Sequence, residues 1–143
     1  MPQGDRIYQQ ALRLANIKKH DKLKVFEMLT KAAKKGNGKA IYALATWYLH
    51  GRYVEKDLSK AIEMLHLSSK QGVSSASFDL AVCYEKGDGV SINTKKAFQF
   101  YLISSLQGDT DSLREVCRCY LYGIGVENDK DLADIWLDAY ERK

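Results

Sequence analysis

Residues that could do chemistry are few in this 143-residue chain, and their spacing argues against a catalytic or metal site. The three histidines, His20, His50 and His66, are widely separated. None has a second histidine at the helical spacing of a zinc-binding pair, and no cysteine or carboxylate completes a zinc pattern. The serine pairs, such as Ser104-Ser105, lack the G-x-S-x-G elbow of a hydrolase. The sequence therefore predicts a non-enzymatic protein that needs no metal ion or cofactor.

A glycine-containing turn, Gly87-Asp88-Gly89-Val90, invites comparison with phosphate-binding loops. Such loops connect a strand to the N-terminus of a helix, where backbone N–H groups attract anions. This turn instead follows a predicted helix, carries an aspartate and lacks the Lys-Ser/Thr pair that contacts phosphate. Phosphate binding is therefore not expected there.

Three cysteines, two of them in Cys117-Arg118-Cys119, are too few for a dense disulfide framework. An odd number of cysteines without a secretion signal favours reduced thiols. The longest apolar stretches are too short to span a bilayer, and the first five residues do not begin a signal peptide. These features predict a soluble, cytoplasmic protein.

Charge is distributed unevenly along the chain, although the formal net charge is only +4. Residues 1–39 contain ten Lys and Arg against three Asp and Glu, whereas residues 109–143 contain five against nine. The basic end is expected to attract acidic surfaces and the acidic end basic ones, which affects the rate and orientation of association. Nucleic acid is an alternative partner of the basic end, although the acidic end would oppose wrapping.

The sequence repeats with a period of 36 residues, and this repetition decides the fold class. Residues 38–73 and 74–109 are identical at 12 of 36 aligned positions. The third unit, 110–143, keeps the frame, and residues 1–37 fit it loosely as a leading partial repeat, so one domain is predicted. Five columns recur in a single ungapped register: Gly36, Gly72 and Gly108; Gly51, Gly87 and Gly123; Tyr48, Tyr84 and Tyr120; Val54, Val90 and Val126; Ala61, Ala97 and Ala133.

Each unit has the pattern of two helices joined by a turn. Ala40, Leu44 and Tyr48 have the spacing of a buried helical stripe. Gly51 stands where a residue with positive φ would end the first helix, and Asp57 stands where its side chain would cap the second. No unit could bury its apolar face alone, so the units must stack. The sequence predicts an all-α fold, a right-handed α-solenoid of helix-turn-helix repeats.

These columns resemble the Sel-1-like repeat family, whose α-solenoid units are related to tetratricopeptide repeats. The resemblance covers about residues 38–140 of the chain. The second unit matches the family pattern at Ala76, Leu80, Ala81, Tyr84, Gly87, Gly89, Val90, Asn93, Lys96 and Ala97. Departures include Tyr53, which replaces the second turn glycine of the first unit, and Leu132, which replaces the lysine of the third.

The resemblance implies that the first helix of each unit lines a concave surface that holds another protein. Positions on this surface vary between units while the packing positions repeat, as expected of a binding face on a scaffold. The candidate residues are Lys39, Tyr42, Thr46, Leu49, His50, Ser75, Phe78, Val82, Glu85, Lys86, Asp111, Arg114, Arg118, Leu121 and Tyr122. Arg6, Gln10 and Arg13 would extend the surface if the leading unit stacks in frame.

An alternative for the apolar candidates Tyr42, Phe78 and Leu121 is that they pack against a neighbouring unit. The last helix, with Trp136 and Leu137, has no predicted helix to cover it, so self-association through it is a further expectation.

The leading prediction is a non-enzymatic, cytoplasmic module that binds one partner protein on the concave face. It resembles small bacterial proteins of the family, among them adaptors and immunity proteins that block a toxin. The alternatives are a basic protein associated with nucleic acid and a β-lactam-binding or β-lactam-hydrolysing enzyme like the cysteine-rich members of the family. This chain lacks the recurring cysteine pair of those members.

Overall fold

A computed structural model describes residues 3–17 and 22–142, and all regular secondary structure in these residues is helical. The eight helices of this part of the chain are α1 (Gln3–Ile17), α2 (Lys22–Lys34), α3 (Gly38–His50), α4 (Leu58–Lys70), α5 (Ser74–Lys86), α6 (Thr94–Leu106), α7 (Thr110–Tyr122) and α8 (Lys130–Glu141). The first helices of successive pairs begin at 38, 74 and 110, and the second at 58, 94 and 130. These starts confirm the predicted 36-residue period. His20 lies outside the described residues.

Helices α1, α3, α5 and α7 are called A helices below, and their partners α2, α4, α6 and α8 are called B helices. Each A helix packs against the B helix that follows it. The chain forms two compact units, Met1–Val73 with α1 to α4 and Ser74–Lys143 with α5 to α8. Within the first unit α2 also packs against α3, and within the second α6 packs against α7. The prediction of a single domain stays a prediction.

The core of unit 1 is built from the repeated small and apolar residues. Ala40 and Ala61 are completely buried, and Leu44 is 3% exposed. Alanine at these positions lets the paired helices approach closely, and burial of the larger side chains supplies the hydrophobic stabilisation. Trp47 of α3 stacks on Phe26 of α2 with ring centroids 5.9 Å apart, so an aromatic pair joins the first helix pair to the second.

Buried serines connect two of the B helices, α4 and α6, to the starts of their A helices. The Ser68 hydroxyl donates to the carbonyl oxygen of Gly38 at 2.8 Å, and the Ser104 hydroxyl donates to that of Ser74 at 2.9 Å. Both serines are completely buried, and each hydroxyl is satisfied by this bond. Ser68 and Ser104 therefore have a structural role.

The helix ends follow the predicted capping residues. Gly51 and Gly123 end α3 and α7 with φ of 66° and 70°. The Asp57 and Asn93 side chains accept hydrogen bonds from the backbone N–H groups of Lys60 and Lys96, at 3.1 and 3.0 Å. Asp129 caps α8 in the same way. These bonds satisfy N–H groups that the first turn of a helix leaves unpaired.

The turn between an A helix and its B helix contains a second glycine position, and the residue at this position differs between the two units. In unit 2 it is Gly125, with φ of 70°, where an added Cβ would lie 1.9 Å from the carbonyl oxygen of Thr94. In unit 1 it is Tyr53, whose φ of 66° lies in the left-handed region that disfavours a side chain. The Tyr53 ring contacts Trp47 edge to face at 4.9 Å, and the Lys22 ammonium lies 4.7 Å from its centroid. These contacts offset part of the backbone strain.

Candidate protein-binding surface

The fifteen residues that the sequence placed on the binding face form what we call the helix-A surface, and they lie on α3, α5 and α7. None of them is buried. Lys39, His50 and Arg114 are among the exposed ones, and Tyr122 keeps 71% of its surface exposed. The packing column of Leu44, Leu80 and Val116 is buried instead, and Val116 is completely buried. The candidate columns are thus on the surface of the A helices, and the columns that contain Ala40 and Leu44 are part of their core.

In unit 1, the helix-A surface consists of Lys39, Tyr42, Thr46, Leu49 and His50 on α3. Lys39 and His50 are exposed and the other three are half-buried. The Thr46 hydroxyl donates to the carbonyl oxygen of Ala43 at 2.7 Å, so it is already satisfied within the helix.

Helix α1 adds a polar face to unit 1 that carries two arginines. Arg6, Gln9, Gln10 and Arg13 are all exposed, and they line a shallow, open pocket. Three of these four residues are the ones that the sequence suggested as an extension of the helix-A surface. We call the four residues the α1 arginine face.

In unit 2, two of the predicted residues bind each other. Nη2 and Nη1 of Arg118 on α7 lie 2.7 and 3.0 Å from Oε1 and Oε2 of Glu85 on α5, a bidentate ion pair. Nε of Arg118 lies 2.8 Å from Oε2 of Glu115, and the Tyr101 hydroxyl of α6 donates to Oε1 of Glu85 at 2.9 Å. These four residues, the Glu85–Arg118 network, join three helices of unit 2.

The environment of the network keeps Glu85 and Arg118 charged and Tyr101 neutral at neutral pH. The hydrogen bonds from Arg118 lower the pKa of Glu85, and Tyr101 lowers it further. Burial raises the pKa of Tyr101, and so does its bond to Glu85. The pKa of Arg118 is raised, chiefly by Glu85. The pKa shifts of Glu85, Tyr101 and Arg118 all lead away from neutral pH, where a general acid or base works best, so these residues favour a structural role.

Phe78 lies beside this network on α5. Its ring meets the Tyr101 ring edge to face, with centroids 5.5 Å apart. The Arg118 guanidinium lies 5.9 Å from the Tyr101 centroid on a cation–π contact. The half-buried Phe78 and Arg118 side chains are therefore held by α6 within their own unit, while each keeps part of its surface exposed.

Sequence reasoning did not single out Tyr101 and Glu115 as members of a network. Tyr101 stands in the B-helix column that Leu29 and Leu65 fill in the earlier repeats, where both leucines are buried. Its polar partner Glu85 stands in the column of Leu49. The same repeat thus has a tyrosine and a glutamate at two positions where other repeats have leucine. This paired change is the sequence feature that could have indicated the network.

The remaining candidate chemistry is absent from the part of the chain that the structure describes. No cluster of three His, Cys, Asp or Glu residues there could hold a metal ion. Cys83, Cys117 and Cys119 are buried free thiols. Burial raises the pKa of Cys83 and Cys119 to about 11, and that of Cys117 is also raised. Thiols in this state are poor nucleophiles at neutral pH.

Helix α8 presents apolar side chains to solvent. Leu132, Ile135 and Leu137 are 37%, 62% and 39% exposed, while Trp136 and Tyr140 are half-buried. Self-association through this helix stays a prediction. Among the described helices, none combines the length and the apolar character needed to cross a bilayer.

Tandem helix pairs with a fixed period, buried repeat columns and a variable surface define a helical repeat protein of the scaffold class. The Sel1 repeat model matches residues 14–37, 38–73, 74–109 and 110–138. The chain therefore belongs to the Sel1 repeat family, and the resemblance seen in the sequence is confirmed. Proteins of this family are generally non-enzymatic scaffolds, and Sel1 repeats suggest a role in protein–protein interaction.

Solved structures agree with the fold. A Sel1 repeat protein from Oxalobacter formigenes is 22% identical with a TM-score of 0.89, covering 97% of this chain and 58% of that protein. A protective antigen of uropathogenic Escherichia coli with an SLR fold is 26% identical with a TM-score of 0.88, covering 97% of this chain and 30% of that protein. An immunity protein from Pseudomonas aeruginosa is 26% identical with a TM-score of 0.64, covering 99% of this chain and 54% of that protein.

The chain thus spans between about a third and three fifths of the length of these three proteins. A comparison with curated protein sequences found no match.

Proposed function

We propose that this protein is a cytoplasmic, non-enzymatic module that binds one partner protein through its helix-A surface. The observation that carries the proposal is the contrast between columns: none of the fifteen positions of the helix-A surface is buried, while the columns that contain Ala40 and Leu44 are buried in each repeat from α3 onward. Positions outside the buried core can differ from one repeat to the next, so they can be adapted to a partner. The odd cysteine count, which favours reduced thiols, supports the cytoplasm as the location.

The composition of the helix-A surface suits a protein interface. Tyr122 and Leu121 are 71% and 44% exposed at the end of α7, and Arg114 is exposed in the first half of the same helix. Tyrosine and arginine are enriched among the residues that contribute most to protein–protein binding energy. The surface also includes exposed charged residues of both signs, such as Lys86 and Asp111, and charged residues are typical of an interface rim.

A capture experiment with two matched double variants tests this proposal. The tagged protein is incubated with lysate of its native host, treated with nuclease, and the proteins retained are identified by mass spectrometry. Leu121→Ala with Tyr122→Ala should abolish retention of a stoichiometric partner. Ile92→Ala with Leu106→Ala, which removes side chains 66% and 77% exposed outside the A-helix columns, should leave it intact.

Two results would contradict the proposal. Equal loss with both double variants would point to general exposed apolar surface rather than to the A helices. In a parallel capture without nuclease, retention of nucleic acid together with the absence of any stoichiometric protein would favour the nucleic-acid alternative.

An immunity protein is the more specific candidate within this function. Its support is the 26% identity to an immunity protein of Pseudomonas aeruginosa over 99% of the chain. An immunity protein protects the cell from one toxin, so a toxin encoded beside this chain should kill a test host, and co-expression of this protein should restore growth. Killing that persists at equal expression of both proteins would exclude the immunity function and leave an adaptor.

A further inference from the structure

The side chains of the α1 arginine face are regularly spaced along one side of the helix, which suits binding to a partner. Its members stand at positions i, i+3, i+4 and i+7 of α1, so they share one side of the helix. Seven residues of α-helix rise by about 10 Å, which sets the spacing of Arg6 and Arg13 along the axis. Gln9 and Gln10 lie between them, and all four side chains are exposed around a shallow pocket.

The two arginines of this face lack carboxylate partners among the described residues. Within residues 3–17 and 22–142, no ion pair involves Arg6 or Arg13. The only carboxylate of the described part of α1, that of Asp5, accepts a hydrogen bond from the Asn37 side chain. Helix α2 increases the positive charge of unit 1, since it carries four lysines and one glutamate.

We propose that the α1 arginine face is the docking site for an acidic segment of the partner protein, which presents two carboxylates about 10 Å apart. The inference rests on the proposed protein-binding function and names the chemistry of its partner. Each guanidinium would hold one carboxylate through two parallel hydrogen bonds, as Arg118 holds Glu85 within unit 2.

The residues around the arginines favour a protein segment over a nucleic acid. The Gln9 and Gln10 amides can both donate to and accept from a peptide backbone, which carries both kinds of group. Leu12, one turn beyond Gln9, is 41% exposed and offers an apolar contact for a side chain. A partner helix would carry the carboxylates at i and i+7. An extended segment in the polyproline II conformation, which has three residues per turn and rises by about 3.1 Å per residue, would carry them at i and i+3.

A random peptide library displayed on phage is the probe for this inference. Selection on the wild-type protein should enrich peptides with two Asp or Glu residues at one of these two spacings. Their affinity should fall at least tenfold for the Arg6→Glu, Arg13→Glu variant. The control Lys31→Glu, Lys34→Glu makes the same charge change at exposed positions of α2 and should cost less than threefold.

A charge swap separates recognition from misfolding. Peptides in which the two carboxylates are replaced by lysine should bind the Arg6→Glu, Arg13→Glu variant and not the wild type. The inference is overturned if both charge-reversal variants lose binding equally, if enriched peptides lack the acidic pair, or if a duplex DNA shifts with the wild type while no peptide binds.

The inference and the proposed function can fail separately. If the captured partner is retained equally by the wild type and by Arg6→Glu, Arg13→Glu, but not by Leu121→Ala, Tyr122→Ala, the protein-binding function stands and the docking site on α1 is excluded. If no protein is retained by any variant, the proposed function itself fails.

Discussion

Arginines on the A helices are used differently in the two units. In unit 2, Arg118 is held by two carboxylates and its side chain is 34% exposed. In unit 1, Arg6 and Arg13 are exposed and make no ion pair within the described residues. Arg118 and Gln10 even share a repeat column, so the same position serves internal packing in one unit and the free surface in the other.

The difference teaches that an arginine on a variable column is not by itself a binding residue. A guanidinium that already has two carboxylates gains little from a third, because the partner must compete with bonds that are already made. A guanidinium without such bonds can offer its full hydrogen-bonding capacity to a partner. Substitution of Arg118 should therefore affect stability, whereas substitution of Arg6 and Arg13 should affect binding.

The largest effect is expected where the turns of the two units differ. Gly125→Ala should lower the free energy of unfolding by about 3 kcal/mol, because the new Cβ would collide with the Thr94 backbone and the positive φ would be strained. Gly123→Ala is the matched control, since it has the same φ of 70° but no atom nearer than 3.5 Å. It should cost about 1 kcal/mol in urea denaturation. Equal losses would contradict the close packing of this turn against α6.

The Glu85–Arg118 network should contribute to stability, unlike the α1 arginines. Arg118→Ala should cost about 1–2 kcal/mol, since it leaves two half-buried carboxylates without their partner and the pair is partly screened by solvent. Arg6→Ala and Arg13→Ala should each change stability by less than about 0.5 kcal/mol, because exposed residues without partners contribute little. Thermal or urea unfolding of the three variants measures this contrast, and similar losses at all three sites would remove the distinction between the units.

Tyr53 gives a smaller and two-sided test in unit 1. Tyr53→Ala should cost about 1 kcal/mol, because it loses the edge contact with Trp47 while the left-handed backbone stays strained. Tyr53→Gly relieves that strain, so its stability should lie within about 0.5 kcal/mol of the wild type. If Tyr53→Gly is as unstable as Tyr53→Ala in urea, backbone strain at this turn is not a significant cost.

The smallest effect is a dependence of unit 2 on pH. The folded-state pKa of Glu85 is lowered, chiefly by Arg118, so its stabilisation is present above the ordinary glutamate pKa and is lost as pH falls through the folded value. Between pH 6 and pH 3 the wild type should lose more stability than Glu85→Gln, which cannot titrate. Parallel losses, followed as urea midpoints, would show that Glu85 is not coupled to folding.

Much of the fold could be predicted because repeat packing places the same demands on every unit. The Ala61, Ala97 and Ala133 column recurs since a larger side chain would separate each B helix from its A helix, and all three are at most 1% exposed. Glycines at the helix ends recur because positive φ disfavours other residues. Such local requirements leave a pattern in one sequence.

The Glu85–Arg118 network could not be predicted in the same way. Its main partners are 33 residues apart, so they belong to different repeat columns and meet only because α5 and α7 both pack beside α6. Column comparison reveals which positions vary, but it does not reveal which variable residues bind each other. The sequence therefore located the helix-A surface without distinguishing its satisfied arginine from the exposed ones on α1.

The most direct measurement is the dissociation constant of the captured partner for four proteins, determined by isothermal titration calorimetry. These are the wild type, Leu121→Ala with Tyr122→Ala, Arg6→Glu with Arg13→Glu, and the control Lys31→Glu with Lys34→Glu. We expect at least tenfold weaker binding for the first two double variants, less than a threefold change for the control, and unchanged helical circular dichroism in all. Binding of wild-type strength by the first two double variants would contradict partner recognition by the A helices.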